Sequence, residues 1–123
     1  MEEENKQLVA VGYARIERYG DLRELDWQAE RIYDYCQENG IELKVVLSEQ
    51  GERSISWRLL EGIFCQQHGR INVVVVADMD ILSRDVGWLL LKQAEFETKY
   101  GAEIVSVKGS QLSIDRDGGM IMG

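Results

Sequence analysis

Two periods alternate along the chain, one of about two residues and one of about 3.6, and each switch marks a new element. Residues 8–15 carry Val9, Val11 and Tyr13 in alternation with Ala10, Gly12 and Ala14. The large residues read as one face of a strand, and the small ones as a second face closely covered by another element. Residues 16–24 are charged, with Gly20 as a breaker. Helical spacing takes over from Leu25 to Glu38, with Trp27, Ile32, Tyr35 and Cys36 inward and Arg31, Asp34 and Glu38 outward. Asn39–Gly40 closes that helix. Ile41–Leu47 alternates again and predicts a second strand, and the polar stretch Ser48–Ser56, with Gly51, reads as a mobile loop.

The second half repeats the rhythm. A helix is predicted from Trp57 to His68, with Leu60, Ile63 and Phe64 on its apolar side and Gly69–Arg70 at its end. Ile71–Ala77 holds four successive valines, the pattern of a central strand covered on both faces. Asp78–Arg84 is a polar crossing, and Ser83 is the expected N-cap of a helix Arg84–Tyr100 whose turns are marked by Trp88, Leu91, Ala94 and Glu95. Gly101 ends it, Ala102–Val107 is a fourth strand, and a short fifth is expected near Gln111–Ile114. The order β-α-β-α-β-α-β implies an α/β fold: a three-layer αβα arrangement with a mostly parallel sheet of four to five strands.

Composition narrows the function. The 123 residues fit one domain with its own core, expected over 8–123 behind an acidic lead at 1–7. No apolar run reaches membrane-spanning length, and the start, Met1–Lys6, lacks the basic and apolar regions of a signal peptide, so a cytoplasmic protein is expected. Cys36 and Cys65 lack metal-ligand spacing and read as buried thiols rather than a disulfide or zinc site. The net charge of −8 opposes strong DNA binding by this chain alone, because phosphate neutralisation drives such affinity.

The polar residues that punctuate the strand ends carry the candidate chemistry. Arg15 and Glu17 follow the first strand, and Asp78, Asp80 and Arg84 follow the valine strand. In open α/β sheets that end is where ligands are handled. Arg53 and Arg58 flank the start of the second helix. Glu17, Asp78 and Asp80 are a minor candidate for a magnesium cluster, and pairing of Glu17 with Arg15 or Arg84 is the stronger structural reading. Tyr19 is a hydroxyl near Glu17 that reads better as a loop residue, and His68 reads as a helix-end residue rather than a catalytic one.

Gly12–Arg15 after a strand, Leu25–Gln28 opening a helix, Val73–Val76 leading to Asp80–Arg84, and then Gly101–Val107 come in one register. Together they resemble the catalytic domain of the serine recombinases, the resolvase/invertase family, over essentially the whole of residues 8–123. The resemblance implies a serine that attacks a DNA phosphodiester, with clustered arginines stabilising the charge on phosphorus and no metal or other cofactor. It places the first family arginine at Arg15, the loop arginine at Arg58 with Arg53 as the alternative, and the post-strand aspartate and arginine at Asp80 and Arg84. Two positions depart. Glu17 stands where the family has its nucleophilic serine, with no serine or threonine between Met1 and Leu47, and Ile81 replaces a further arginine. A carboxylate at ~4–6 Å from the scissile phosphate would cost on the order of 1–3 kcal/mol.

The resemblance also implies a long dimerisation helix and a DNA-binding domain after Gly123, with Gly119–Gly123 similar to the lead into that helix. The expectation is therefore a site-specific DNA recombinase catalytic domain unable to cleave, cut or naturally shortened before that helix. Weak or no DNA binding, a monomer or weak dimer, a possible recombinase-family protein partner and no membrane association go with it. The alternative is a non-catalytic regulatory or protein-interaction module that keeps the recombinase fold.

Overall fold

The structure, a computed structural model, describes residues 7–108. Four strands among them, β1 (Leu8–Ile16), β2 (Ile41–Gln50), β3 (Val73–Val76) and β4 (Glu103–Ser106), form one sheet in the order β2-β1-β3-β4. Every pairing is parallel. Helices α1 (Arg23–Glu38), α2 (Ile55–Gln66) and α3 (Val86–Tyr100) connect them, and a single 3-10 turn, Met79–Ile81, follows β3. The three-layer αβα reading holds. The expected fifth strand near Gln111–Ile114, residues 1–6 of the acidic lead and the segment Gly119–Gly123 lie outside the described residues.

Strand parity divides the core. Val11, Tyr13, Val74 and Val76 pack with Trp57, Leu60 and Phe64 of α2 and Phe96 of α3. Ala10, Val73 and Val75 pack on the other face with Ile32 and Cys36 of α1. The small residues of β1 do what their pattern predicts, because α1 lies hard against them. A Cβ added at Gly12 would stand 2.9 Å from Ile32 Cγ2 and 3.1 Å from Val46 Cγ2. Both are branch methyls fixed at their own Cβ, so neither can swing clear.

Several local expectations shift. Helix α1 buries Gln28 with Ile32 and Cys36, while Trp27 is 51% exposed under the Arg31 guanidinium. The inward face is thus one residue out of the predicted phase at its start. Strand β2 runs to Gln50 rather than Leu47, and α2 begins at Ile55. Helix α3 begins at Val86 and is capped by Asp85, whose carboxylate accepts from the Trp88 N–H, while Ser83 Oγ accepts from the Asp85 N–H one turn earlier. Its core-facing residue is Phe96, and Leu91 and Ala94 point outward. Cys36 is buried but Cys65 is exposed near the end of α2. His68 is exposed, two residues beyond that helix.

One irregularity decides which side chains meet. The β1–β2 register pairs Ala10 with Leu43 but Val11 with Val45, leaving Lys44 as a bulge. Ile41 and Leu43 therefore pack on the α1 face, and after the bulge it is Val46 that returns to that face while Leu47 joins the α2/α3 layer. Two residues further on, Glu49 falls on the α2/α3 face beside Tyr13.

Candidate functional site: a cleft at the switch point of the sheet

From β1 the chain crosses to β2 on one side and later to β3 on the other. The crevice between diverging crossovers opens at the carboxyl ends of β1 and β3, where doubly wound sheets place their ligands. A cleft of about 540 Å³ lies there. Its lining includes Arg15 and Glu17 from the end of β1, Arg53 from the β2–α2 loop, and Asp78, Asp80 and Arg84 from the segment after β3.

Arg15 is positioned through its own backbone. Past the last β1–β3 pair, Tyr13 with Val76, the Arg15 main chain meets α1 instead. Its N–H donates to Gln28 Oε1 at 3.1 Å, and its carbonyl accepts from Gln28 Nε2 at 3.0 Å. The Gln28 amide thus stands in for a strand, which explains a fully inward glutamine on α1. The Arg15 side chain then donates from Nε to the Ile81 carbonyl at 2.6 Å and from Nη1 to the Gly51 carbonyl at 2.5 Å.

Arg53 is held by the loop beneath it. Glu49 is 8% exposed and receives the Tyr13 hydroxyl at 2.5 Å, the Ser54 and Ser56 N–H groups at 2.9 Å each, and the Ser54 hydroxyl at 3.1 Å. Two of these donors are the free amides at the start of α2, so the carboxylate caps that helix from a neighbouring strand. Burial pushes the Glu49 carboxyl up, and the bonds from Tyr13, Ser54 and Ser56 outweigh it and hold the group below the usual range. Burial pushes the Tyr13 hydroxyl far up, and its bond to Glu49 adds to this. Gly51, at φ +96°, turns the chain, and its N–H donates to the Ile16 carbonyl at 2.8 Å. The expectation of a mobile loop over 48–56 is corrected: buried tertiary bonds fasten it. From it Arg53 lies 3.9 Å over the Trp88 ring and donates to the Leu82 carbonyl.

The sequence model described as the resolvase N-terminal domain matches residues 10–122. The chain belongs to the resolvase family. Solved structures agree on the fold. The chain is similar to the N-terminal catalytic domain of TP901-1 integrase at 20% identity, covering 83% of this chain and 78% of that one with a TM-score of 0.68. It is similar to the C-terminal catalytic domain of ISC1926 TnpA, an IS607-like serine recombinase, at 21% identity, 81% and 70% coverage and a TM-score of 0.70. A resolvase family site-specific recombinase from Streptococcus pneumoniae gives 14% identity, 84% and 74% coverage and a TM-score of 0.70. No curated protein sequence matches the chain.

In this resolvase-family domain, then, Arg15, Glu17, Asp80 and Arg84 share one cleft, and Arg58 does not line it. Arg58 lines an adjoining groove of about 240 Å³ with Trp57, Glu61, Trp88 and Lys92, and Arg53 borders both. Glu17 is exposed and forms no ion pair with Arg15 or Arg84 among the described residues, contrary to the pairing expected from sequence. Glu17, Asp78 and Asp80 do not come together as a metal-binding group among the described residues. Asp78 instead accepts from the Asp80 N–H at 3.1 Å, capping the 3-10 turn, and lies 3.6 Å from Lys108 Nζ. Among the described residues no helix is long and apolar enough to cross a membrane. Sequence reasoning missed Glu49 and Gln28, whose partners lie 36 and 13 residues away.

Proposed function

We propose that this chain is the catalytic-fold domain of a site-specific DNA recombination protein and that it does not itself cleave DNA. The observation that carries the reading is Glu17: an exposed carboxylate on the cleft, two residues past Arg15, at the position where the family resemblance puts the nucleophilic serine. Attack on a phosphodiester needs an activated hydroxyl beside clustered cations. Among the described residues Ser83 is the single hydroxyl in the cleft lining, and its Oγ accepts from the Asp85 N–H rather than bonding a base. Among the described residues the lining carboxylates Glu17, Glu24, Asp78 and Asp80 outnumber Arg15, Arg53 and Arg84, a balance that does not favour a phosphate.

The chain should form no covalent adduct when mixed with supercoiled plasmid DNA and resolved on a denaturing gel. A denaturant-resistant protein–DNA band would overturn the proposal. The same mixture run without denaturant should show weak binding at most at about 0.15 M salt, given the net charge of −8. The second reading, a regulatory or protein-interaction module, is favoured by one observation: Arg15 and Arg53 spend donors on the protein's own backbone.

A further inference from the structure

The two arginines at the inner side of the cleft each spend guanidinium donors on the protein's own backbone. Arg15 donates from Nε to the Ile81 carbonyl and from Nη1 to the Gly51 carbonyl. The Nε bond breaks the side-on fork with which a guanidinium grips two oxygens of one anion, and the Nη1 bond pins the other end of the group. Arg53 donates to the Leu82 carbonyl while its plane is stacked on Trp88. Three main-chain oxygens, from two segments far apart in sequence, thus sit on the two cations.

We propose that the cleft is self-occupied: the carbonyl oxygens of Gly51, Ile81 and Leu82 take the places on Arg15 and Arg53 that the oxygens of a bound phosphate would need. The inference rests on the reading of this cleft as a disarmed phosphodiester site, and it adds a second lock that does not depend on Glu17.

Both sides of the lock are anchored, so it does not open by loop motion alone. Gly51 is fixed by its own N–H on Ile16 and by the loop's bonds to Glu49. Leu82 is fully buried and Ile81 packs against the α2/α3 core. The turn carrying them is closed by Ile81 N–H to the Asp78 carbonyl at 3.1 Å and Leu82 N–H to the Met79 carbonyl at 2.9 Å. Releasing either arginine to an anion frees a carbonyl that takes no other side-chain donor among the described residues, and the anion must repay that loss. Arg84 is exposed and stands outside the lock.

The test separates the two locks. The wild-type chain and Glu17→Gln, each labelled with nitrogen-15, are titrated with inorganic phosphate against sodium chloride of matched ionic strength. The arginine side-chain N–H resonances and the thermal midpoint are followed. Self-occupancy predicts that the Arg15 Nε and Arg53 Nη1 signals keep their positions in both proteins, and that phosphate moves the midpoint no more than chloride does. Movement confined to Arg84 supports the proposal, since that group is free. Phosphate-specific movement of Arg15 or Arg53 in Glu17→Gln alone overturns it and leaves Glu17 as the sole block. The same movement in the wild type overturns this lock and the reading of a disarmed cleft together. Arg15→Met should also lower the midpoint or prevent folding, because it cuts ties among three segments; an unchanged midpoint would contradict the lock.

Discussion

Glu49 keeps a carboxylate in an apolar layer by drawing donors from a strand, a loop and a helix start. Four hydrogen bonds converge on it, from Tyr13, Ser56 and both the amide and the hydroxyl of Ser54. Glu49→Gln keeps the shape but turns an amide NH₂ toward donors, so we expect a loss of about 1–3 kcal/mol in denaturant unfolding. The pH dependence has a definite sign. The folded carboxyl titrates below its ordinary value, so its contribution is present above the unfolded value of about 4.3 and is lost as pH falls through the folded one. Wild-type stability should fall over that acid range, and the fall should shrink in Glu17-intact Glu49→Gln; an identical acid profile would contradict the network. Residue 49 was unreadable in the sequence because its partner Tyr13 is remote and its neighbours are polar. Arg15 was readable because it ends an unmistakable strand. Trp27 and Gln28 misled by type: the amide pairs with the Arg15 backbone and turns inward, and the indole is left outside.

At the scale of elements, the Lys44 bulge decides what β2 contributes. Ile41, Leu43, Val45 and Leu47 alternate, and plain alternation would put them on one face, with Glu49 following. The bulge reverses parity, so Leu47 and Glu49 arrive on the face of Tyr13 and α2. Deleting Lys44 removes the extra residue and keeps Leu43 opposite Ala10 and Val45 opposite Val11, so Glu49 stays beside Tyr13; deleting Ser48, past the bulge, instead moves Glu49 one position to the wrong face and leaves Tyr13 unpaired. The expected loss exceeds about 4 kcal/mol, and cooperative unfolding followed by circular dichroism should disappear or shift accordingly. A Ser48 deletion with wild-type stability would refute the parity argument. No local signal in the sequence announces this bulge. It is set by the fit of β2 against β1, whereas β3 was plain because four valines buried on both faces need no register to be recognised.

At the scale of the whole molecule, strand order β2-β1-β3-β4 makes the crevice, and the resolvase family supplies its chemical context. The order of elements and the meeting of Arg15, Asp80 and Arg84 were legible because strand ends are legible. The choice between Arg53 and Arg58 was not, since it depends on where the fastened loop points. The account holds that cleavage is blocked by more than one feature: no serine at position 17, no guanidinium at Ile81, and two arginines bound to backbone carbonyls. Losing one charge-stabilising donor typically costs ~100–1,000-fold in rate, or about 3–4 kcal/mol. Ile81 also packs against the core, so adding an arginine there disturbs the turn that carries it. The most direct measurement is therefore the single variant Glu17→Ser, incubated with supercoiled plasmid DNA, denatured and examined for protein linked through residue 17. The account predicts no phosphoserine linkage and no nicking above the wild type. A serine-linked adduct in that variant would show that the remaining arginines suffice, and would contradict it.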